Sequence, residues 1–247
     1  MITRQLITKA GHKIIYDFVE GSKIPIIFLS GLMSDRKGSK ASFFAEYAAN
    51  YGHSYVAFDY LGHGESDLDF TECNIDIWLE NVLEMLELFV GQKIILIGSS
   101  LGGWLAILAA LKKPGKIESL ITLAAAPDFT EDLMWQNFSP EIQAQLAAGQ
   151  IYNLPSDYCD GEYPITMQLI ESGRNNLLLK QQHIPLTVPI KMFHGALDED
   201  VPVKYAELLK DKLPADLADL NIIPDGDHRL SRTQDLAMFA EYLLRII

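Results

Sequence analysis

The chain has 247 residues, of which 49% are apolar and 21% charged, and this length is enough for one α/β domain with a sizeable core. Its 33 acidic residues exceed its 20 basic residues and give a net charge of -13, which argues against nucleic acids and anionic membranes as partners. The two cysteines, Cys73 and Cys159, are too few for a disulfide framework, and no apolar stretch reaches membrane-spanning length.

The N-terminal segment predicts a hairpin that leads into a buried strand. Residues 1–6 lack a charged stretch followed by a long apolar run, so we expect no signal peptide and a cytoplasmic location. Residues 5–8 and 13–19 are predicted to form two antiparallel strands joined near a glycine. Residues 24–30 are apolar almost throughout, which predicts a third strand that is more fully buried.

A glycine-led loop, residues 31–35, follows this third strand and precedes a helix predicted over residues 37–50. Ser39 is a possible N-cap for that helix, because its hydroxyl can accept a hydrogen bond from the first turn. Ligands gather at the C-terminal ends of strands in a doubly wound sheet. The loop is therefore a candidate part of a binding site.

The next predicted strand, residues 54–59, runs into a glycine-rich turn at residues 60–67. His63 lies in this turn, and we interpret it as a hydrogen-bonding residue of the turn rather than a catalytic one. Asp59 precedes the candidate nucleophile described below, which is the wrong chain order for a catalytic acid of the predicted fold. Residues 74–90 then place apolar side chains at helical spacing.

A nucleophile-elbow pattern stands between a short β-branched run, residues 94–97, and an apolar helix that includes residues 104–108. The sharp turn from strand to helix strains the backbone at Ser100 and lifts its hydroxyl above the sheet. Gly98 and Gly102, two residues before and after it, leave room where the two backbone segments approach each other. The pattern therefore predicts that Ser100 is a nucleophile.

The regular alternation of strands and helices breaks after the strand predicted over residues 117–123. We interpret the whole chain, residues 1–247, as a single domain with a cap inserted at residues 127–189. Helices are predicted around residues 142–148 and 165–179 of this insertion. Its many aromatic side chains favour a pocket for an apolar acyl group, because such insertions line substrate pockets.

The predicted sheet resumes at residues 188–194 and ends in a turn that holds three acids. An acid here would lie beyond a strand end, on the same edge of the sheet as the nucleophile. Asp198 is our first choice because it follows the short turn directly, with Asp200 second and Glu199 third. His194 precedes a glycine, and we interpret it as a residue that hydrogen-bonds at the strand end.

The C-terminal part completes the predicted alternation with a helix over residues 203–213 and a last strand over residues 219–223. His228 follows that strand in a short loop, and an amphipathic helix is predicted over residues 233–246. The order of the three candidates along the chain, Ser, Asp and then His, is the order expected when the nucleophile stands on a strand-to-helix elbow.

These three side chains form a plausible catalytic set. A serine hydroxyl is a weak nucleophile until a base accepts its proton, and an imidazole titrates near neutral pH. His228 would activate Ser100, while Asp198 would bind the other ring nitrogen and stabilise the imidazolium. An acyl-serine would form, and water would then release the acid.

Backbone N–H groups would stabilise the oxyanion of the tetrahedral intermediate. Leu32 is the candidate for one donor, with Met33 next if the register of the loop differs by one residue. Leu101, directly after the nucleophile, is the candidate for the other.

We expect no cofactor. The six histidines lack paired metal-ligand spacing, and no G-x-G-x-x-G pattern follows the first strands. The expected partner is an ester or thioester substrate, either a small molecule or an acylated protein. We expect no binding to nucleic acid and no stable insertion into a membrane. Two alternatives stay open: another ester or amide hydrolase on the same fold, and a non-catalytic ligand-binding protein of that fold.

The motifs around these residues are Gly31-x-x-Ser34-x-x-x-Gly38-x-Lys40-Ala41, Phe58-Asp59-Tyr60-x-Gly62-x-Gly64-x-Ser66, Gly98-Ser99-Ser100-Leu101-Gly102-Gly103-Trp104, Leu154-Pro155-Ser156-x-Tyr158, His194-Gly195-x-x-Asp198-x-x-Val201-Pro202 and Asp227-His228-Arg229. Through them nearly the whole chain resembles the α/β-hydrolase superfamily. The resemblance implies a mostly parallel central sheet with helices on both faces and a helical cap, and it carries the triad onto Ser100, Asp198 and His228. Within the superfamily the pattern is similar to palmitoyl-protein thioesterases that also act as acyl-glucuronide esterases, which implies cleavage of carboxylic esters or acyl thioesters.

Overall fold

The computed structural model describes residues 1–156 and 161–246, so Cys159 and Tyr158 lie outside the described residues. The predicted apolar runs form the central strands of a sheet. The strands within the described residues are β1 (Ile2–Ile7), β2 (Lys13–Val19), β3 (Lys23–Leu29), β4 (His53–Phe58), β5 (Ile94–Ser99), β6 (Ile117–Leu123), β7 (Tyr152–Pro155), β8 (Glu162–Ile165), β9 (Ile190–Gly195) and β10 (Ala218–Ile223).

The main sheet has the order β1-β2-β4-β3-β5-β6-β9-β10. Strand β2 pairs antiparallel with β1 and β4, whereas the neighbours in the series β4-β3-β5-β6-β9-β10 pair parallel. The chain passes from β3 outward to β4 and then returns to the other side of β3 as β5. The strand order therefore reverses between β3 and β5, and a crevice opens beyond their C-terminal ends.

Helices cover both faces of this sheet. Their bounds are α1 (Ser39–Tyr51), α2 (Ile75–Leu86), α3 (Leu101–Lys112), α4 (Pro140–Ala147), α5 (Met167–Asn175), α6 (Lys204–Lys212) and α7 (Thr233–Ile246). Side chains alternate along β5: Ile94 and Leu96 pack in the core that contains α2 and α3, while Ile95 and Ile97 pack with α1 and α7. The predicted mostly parallel central sheet with helices on both faces is confirmed.

The segment between β6 and β9 differs in part from the helical cap that the sequence predicts. Besides α4 and α5 it holds a two-stranded antiparallel sheet of β7 and β8, in which Tyr152 pairs with Ile165. Strand β8 ends at Ile165, the first residue of the helix predicted over residues 165–179, and α5 extends only from Met167 to Asn175. Strands of four residues are too short to show a reliable period.

One predicted cap is wrong. The N-cap of α1 is Gly38, and Ser39 is the first residue of the helix. Gly38 has no side chain that could accept a hydrogen bond, so no N-cap side chain binds the N–H groups in the first turn of α1.

Polar side chains join the two ends of the inserted segment to each other and attach the segment to α3. The carboxylate of Asp128 accepts hydrogen bonds from the Leu178 and Leu179 N–H groups, both at 2.8 Å. The Trp104 indole N–H, on α3, donates to the Asn176 carbonyl at 3.2 Å. These contacts hold the segment above the C-terminal end of β5. In the described part of the chain, no helix combines the length and the apolar character needed to cross a membrane.

Candidate active site

Ser100 lies at the turn between β5 and α3, with φ of 54° and ψ of -117°. This is a conformation that non-glycine residues rarely adopt. A Cβ on Gly98 would lie 2.2 Å from the Gly102 carbonyl oxygen, and one on Gly102 would lie 2.1 Å from the Leu29 carbonyl oxygen. The glycines of the motif are therefore required because β3, β5 and α3 approach too closely for any side chain.

The structure brings Ser100, His228 and Asp198 together. The Ser100 hydroxyl lies 3.1 Å from Nε2 of His228, and Nδ1 of His228 lies 2.8 Å from Oδ2 of Asp198. Asp198 follows β9 and His228 follows β10, so adjacent parallel strands deliver both side chains to the edge where β5 delivers the serine. A neutral imidazole with its proton on Nδ1 satisfies both contacts, donating to the carboxylate and accepting from the hydroxyl.

Asp198 is held as a carboxylate. Burial alone would raise its pKa, but hydrogen bonds from His194, His228 and the Val201 N–H outweigh burial and lower the pKa to about 2. The Val201 N–H donates to Oδ1 at 2.7 Å. Nε2 of His194 lies 3.3 Å from Oδ2 while also donating to the Val201 carbonyl at 2.7 Å. The acid that faces His228 therefore stays ionised at neutral pH.

The competing acids take other positions. Asp200 is exposed and donates its backbone N–H to Oδ1 of Asp198 at 3.1 Å. Asp59 accepts hydrogen bonds from the Arg36 and Glu65 N–H groups. Among the described residues, Asp198, Asp200 and His228 also have the spacing of metal ligands, with atoms within 4.8 Å. Both ring nitrogens of His228 already contact protein groups, so this cluster is explained by hydrogen bonding.

The loop after β3 passes beside the serine, since a Cβ on Gly31 would lie 3.4 Å from the Ser100 Cβ. The Met33 N–H donates to Nε2 of His63 at 3.1 Å and is thus occupied. Within residues 1–156 and 161–246, the Leu32 N–H has no hydrogen-bond acceptor. Leu101 is the first residue of α3, where a backbone N–H has no acceptor inside the helix.

Arg36 fixes the far end of the same loop. Its guanidinium is buried and forms ion pairs with Asp17 and Asp59, and with Glu65 at 2.6 Å. Its backbone N–H also donates to Asp59 at 2.8 Å. The loops after β3 and β4 are thereby joined through a charge network in which Arg36 and Asp59 are buried and Glu65 is exposed.

Replacing Arg36 by methionine is expected to destabilise the fold by about 3–5 kcal/mol, because it leaves two carboxylates buried without their cation. Urea unfolding at pH 7 measures this free energy. The control is Lys37→Met, which removes only the exposed ion pair with Glu65 and should cost under about 1 kcal/mol. Equal losses in the two variants would contradict a dominant role for the buried pairs.

A cavity of about 590 Å³ opens above Ser100 and His228. The inserted segment supplies its apolar wall, which consists of Phe129, Leu133, Met134, Leu154 and Tyr163. Lys40 and Arg229 also line the cavity and supply polar groups. The site can therefore hold an apolar group against the inserted segment and place a polar group near α1.

The sequence analysis interpreted His194 and His63 as hydrogen-bonding residues without linking them to the site, and it missed Arg36. His194 binds the acid, His63 binds the loop after β3, and Arg36 anchors that loop. The four-residue spacing from His194 to Asp198 is a signal that a short turn brings them together. No local pattern indicates the other two contacts, because each joins segments that are distant in sequence.

The known proteins to which this chain is similar are hydrolases. Residues 26–241 match the profile of the family described as "Alpha/beta hydrolase family". The chain is 33% identical over 222 residues, covering 90% of this chain and 74% of the relative, to "Palmitoyl-protein thioesterase ABHD10, mitochondrial" of Rattus norvegicus.

Two solved structures are similar over nearly their whole length. A putative hydrolase from Agrobacterium vitis S4 is 32% identical with a TM-score of 0.94, covering 100% of this chain and 98% of that one. The mouse alpha/beta hydrolase domain-containing protein 10 is 29% identical with a TM-score of 0.89 and the same coverage of 100% and 98%. The likeness extends over the inserted segment as well as the sheet.

Proposed function

The chain belongs to the α/β-hydrolase family, and from this membership and the geometry of its site we propose a serine hydrolase that cleaves carboxylic esters or acyl thioesters. The observation that carries the proposal is the chain of contacts from the Ser100 hydroxyl through His228 to Asp198, at 3.1 and 2.8 Å, on a strained turn. A ligand-binding protein without activity has no need of this arrangement.

The proposed reaction has two halves. Oγ of Ser100 attacks the carbonyl carbon of the substrate while its proton passes to Nε2 of His228. The tetrahedral intermediate collapses, the carbon–oxygen or carbon–sulfur bond breaks, and the leaving alcohol or thiol takes the proton from His228. Water then attacks the acyl-serine, gives a proton to His228, and the carboxylic acid leaves as Ser100 regains its proton.

We assign the oxyanion donors to the backbone N–H groups of Leu32 and Leu101. The engagement of the Met33 N–H by His63 favours Leu32 over its neighbour. The position of Leu101 at the start of α3 adds the favourable end of the helix dipole. Each donor is worth about 3–4 kcal/mol of barrier in comparable sites.

The apolar wall of the cavity supports an acyl chain as the group that lies against the inserted segment. The printed name of the rat relative, a palmitoyl-protein thioesterase, is consistent with an acyl thioester. The predicted cytoplasmic location stays a prediction.

A series of p-nitrophenyl esters from acetyl to palmitoyl tests the proposal, with the matching acyl thioesters beside it. We expect a burst of p-nitrophenol equal to the enzyme concentration and kcat/KM that increases from acetyl to medium or longer chains. Mass spectrometry should place a fluorophosphonate label on Ser100.

Two results would count against this function. Turnover of acetyl esters far above that of longer chains would contradict the acyl-chain assignment alone. Neither turnover nor labelling with any member of the series would favour a ligand-binding protein of the same fold.

A further inference from the structure

His63 contacts the loop that carries the proposed oxyanion donor, although it is not part of the triad. Its side chain is buried in the turn after β4, and Nε2 accepts a hydrogen bond from the Met33 N–H at 3.1 Å. Its other ring nitrogen lies 3.4 Å from the Leu61 carbonyl oxygen. The imidazole thus bridges two loops that lead from neighbouring strands.

These contacts define the protonation state of the ring. A backbone N–H can only donate, so Nε2 of His63 must be unprotonated and the proton must lie on Nδ1, facing the Leu61 carbonyl. Burial lowers the pKa of His63 to about 4, which keeps the ring neutral at physiological pH.

Aromatic neighbours hold the ring in this orientation. Tyr60, Phe70 and Trp78 contact it nearly edge to face, with centroid distances of 5.5, 5.4 and 5.2 Å. The Trp78 indole N–H also donates to the Leu61 carbonyl at 3.0 Å. These contacts therefore keep Nε2, the acceptor nitrogen, directed toward the loop after β3.

Met33 has a strained backbone that the hydrogen bond to His63 can stabilise. Its φ of 54° lies in the left-handed region, which costs a non-glycine residue about 1–2 kcal/mol. The hydrogen bond to His63 helps offset this cost. Because Met33 directly follows Leu32, the orientation of its peptide restricts the direction of the Leu32 N–H.

We propose that His63 is a positioning residue for catalysis: by holding the Met33 N–H, it orients the Leu32 N–H toward the oxyanion and excludes Met33 from that role. The proposal rests on the serine-hydrolase function above. It differs from a merely structural role, because it requires a selective effect on the transition state.

Three variants test it. His63→Phe keeps an aromatic ring in the same surroundings but removes the acceptor, and His63→Gln restores an acceptor through its amide oxygen. The control is His53→Phe, which alters another buried histidine. His53 lies on β4, its Nδ1 contacts the Ile24 carbonyl on β3, and it does not contact the loop after β3. All are compared by kcat, KM and thermal unfolding on the best ester substrate.

For His63→Phe we expect kcat to fall about 10- to 100-fold with KM changed less than about threefold, because the oxyanion forms only in the transition state. An alkyl boronic acid, which forms a tetrahedral adduct on the serine, should bind more weakly by a similar factor. His63→Gln should recover most of kcat, and His53→Phe should leave it unchanged.

Full kcat in a folded His63→Phe variant, or a loss confined to KM, would overturn the proposal while leaving the serine-hydrolase function intact. A wild-type enzyme with neither turnover nor labelling would overturn both. If His63→Phe does not fold, ¹⁵N NMR of the histidine-labelled wild type decides. An unprotonated Nε2 on His63 at pH 7 is expected, and a proton on that nitrogen would refute the proposal.

Discussion

The Ser100→Ala variant is expected to lose about 10⁴- to 10⁶-fold in kcat for ester cleavage. The hydroxyl is the proposed attacking group, and it lies 3.1 Å from Nε2 of His228. The remaining rate would come from binding and the oxyanion donors acting on a water molecule. Pre-steady-state release of p-nitrophenol measures the effect, since both the burst and the steady rate should disappear.

The matched control is Ser99→Ala, which removes a hydroxyl one position earlier, at the end of β5. We expect its kcat to stay within about threefold of wild type, because Ser99 is a residue of β5 and the hydroxyl that contacts Nε2 of His228 is that of Ser100. A Ser100→Ala variant that keeps its burst, with an unchanged melting temperature, would show that the nucleophile lies elsewhere.

The Asp198→Asn variant is expected to lose about 10⁴-fold in kcat. An amide at this position accepts only through its oxygen, so it can present an N–H to Nδ1 of His228 and favour the wrong tautomer. It also removes the negative charge that stabilises the imidazolium in the transition state. Steady-state kinetics on the same ester, with circular dichroism to verify folding, measures the loss.

The pH dependence of the free energy of unfolding and of kcat provides a second test of the role of Asp198. Its folded pKa of about 2 lies below the ordinary value near 4, so the ionised group stabilises the fold above about pH 4. This contribution is lost as the pH falls toward 2. In Asp198→Asn the free energy of unfolding should therefore lack this acid-dependent decrease, and kcat should stay low at every pH between 5 and 9.

Asp200→Asn is the control, because Asp200 is the competing acid two residues away and contacts Asp198 through its backbone N–H. That contact survives the substitution, so we expect kcat within about threefold of wild type. A larger loss in Asp200→Asn than in Asp198→Asn would assign the acid to Asp200.

Local features of the sequence determined several strands and helices, the turn at Ser100 and the fold class. The bounds predicted for β6 and α7 agree with the structure, because a β-branched run and a helical period are visible within a few residues. The turn at Ser100 is equally local: only glycine at positions 98 and 102 permits the approach of three backbone segments. The order of strands and helices along the chain was enough to predict the fold class.

Contacts between distant segments were decided by the tertiary structure alone. The sequence left three acids beside one another, and only the pairing of β9 with β10 brings Asp198, rather than Asp200, within 2.8 Å of His228. It left Leu32 and Met33 as alternatives, and the approach of His63 from the loop after β4 occupies Met33. A periodic pattern reports which face of an element is buried, whereas the partner it meets depends on how the whole sheet is assembled.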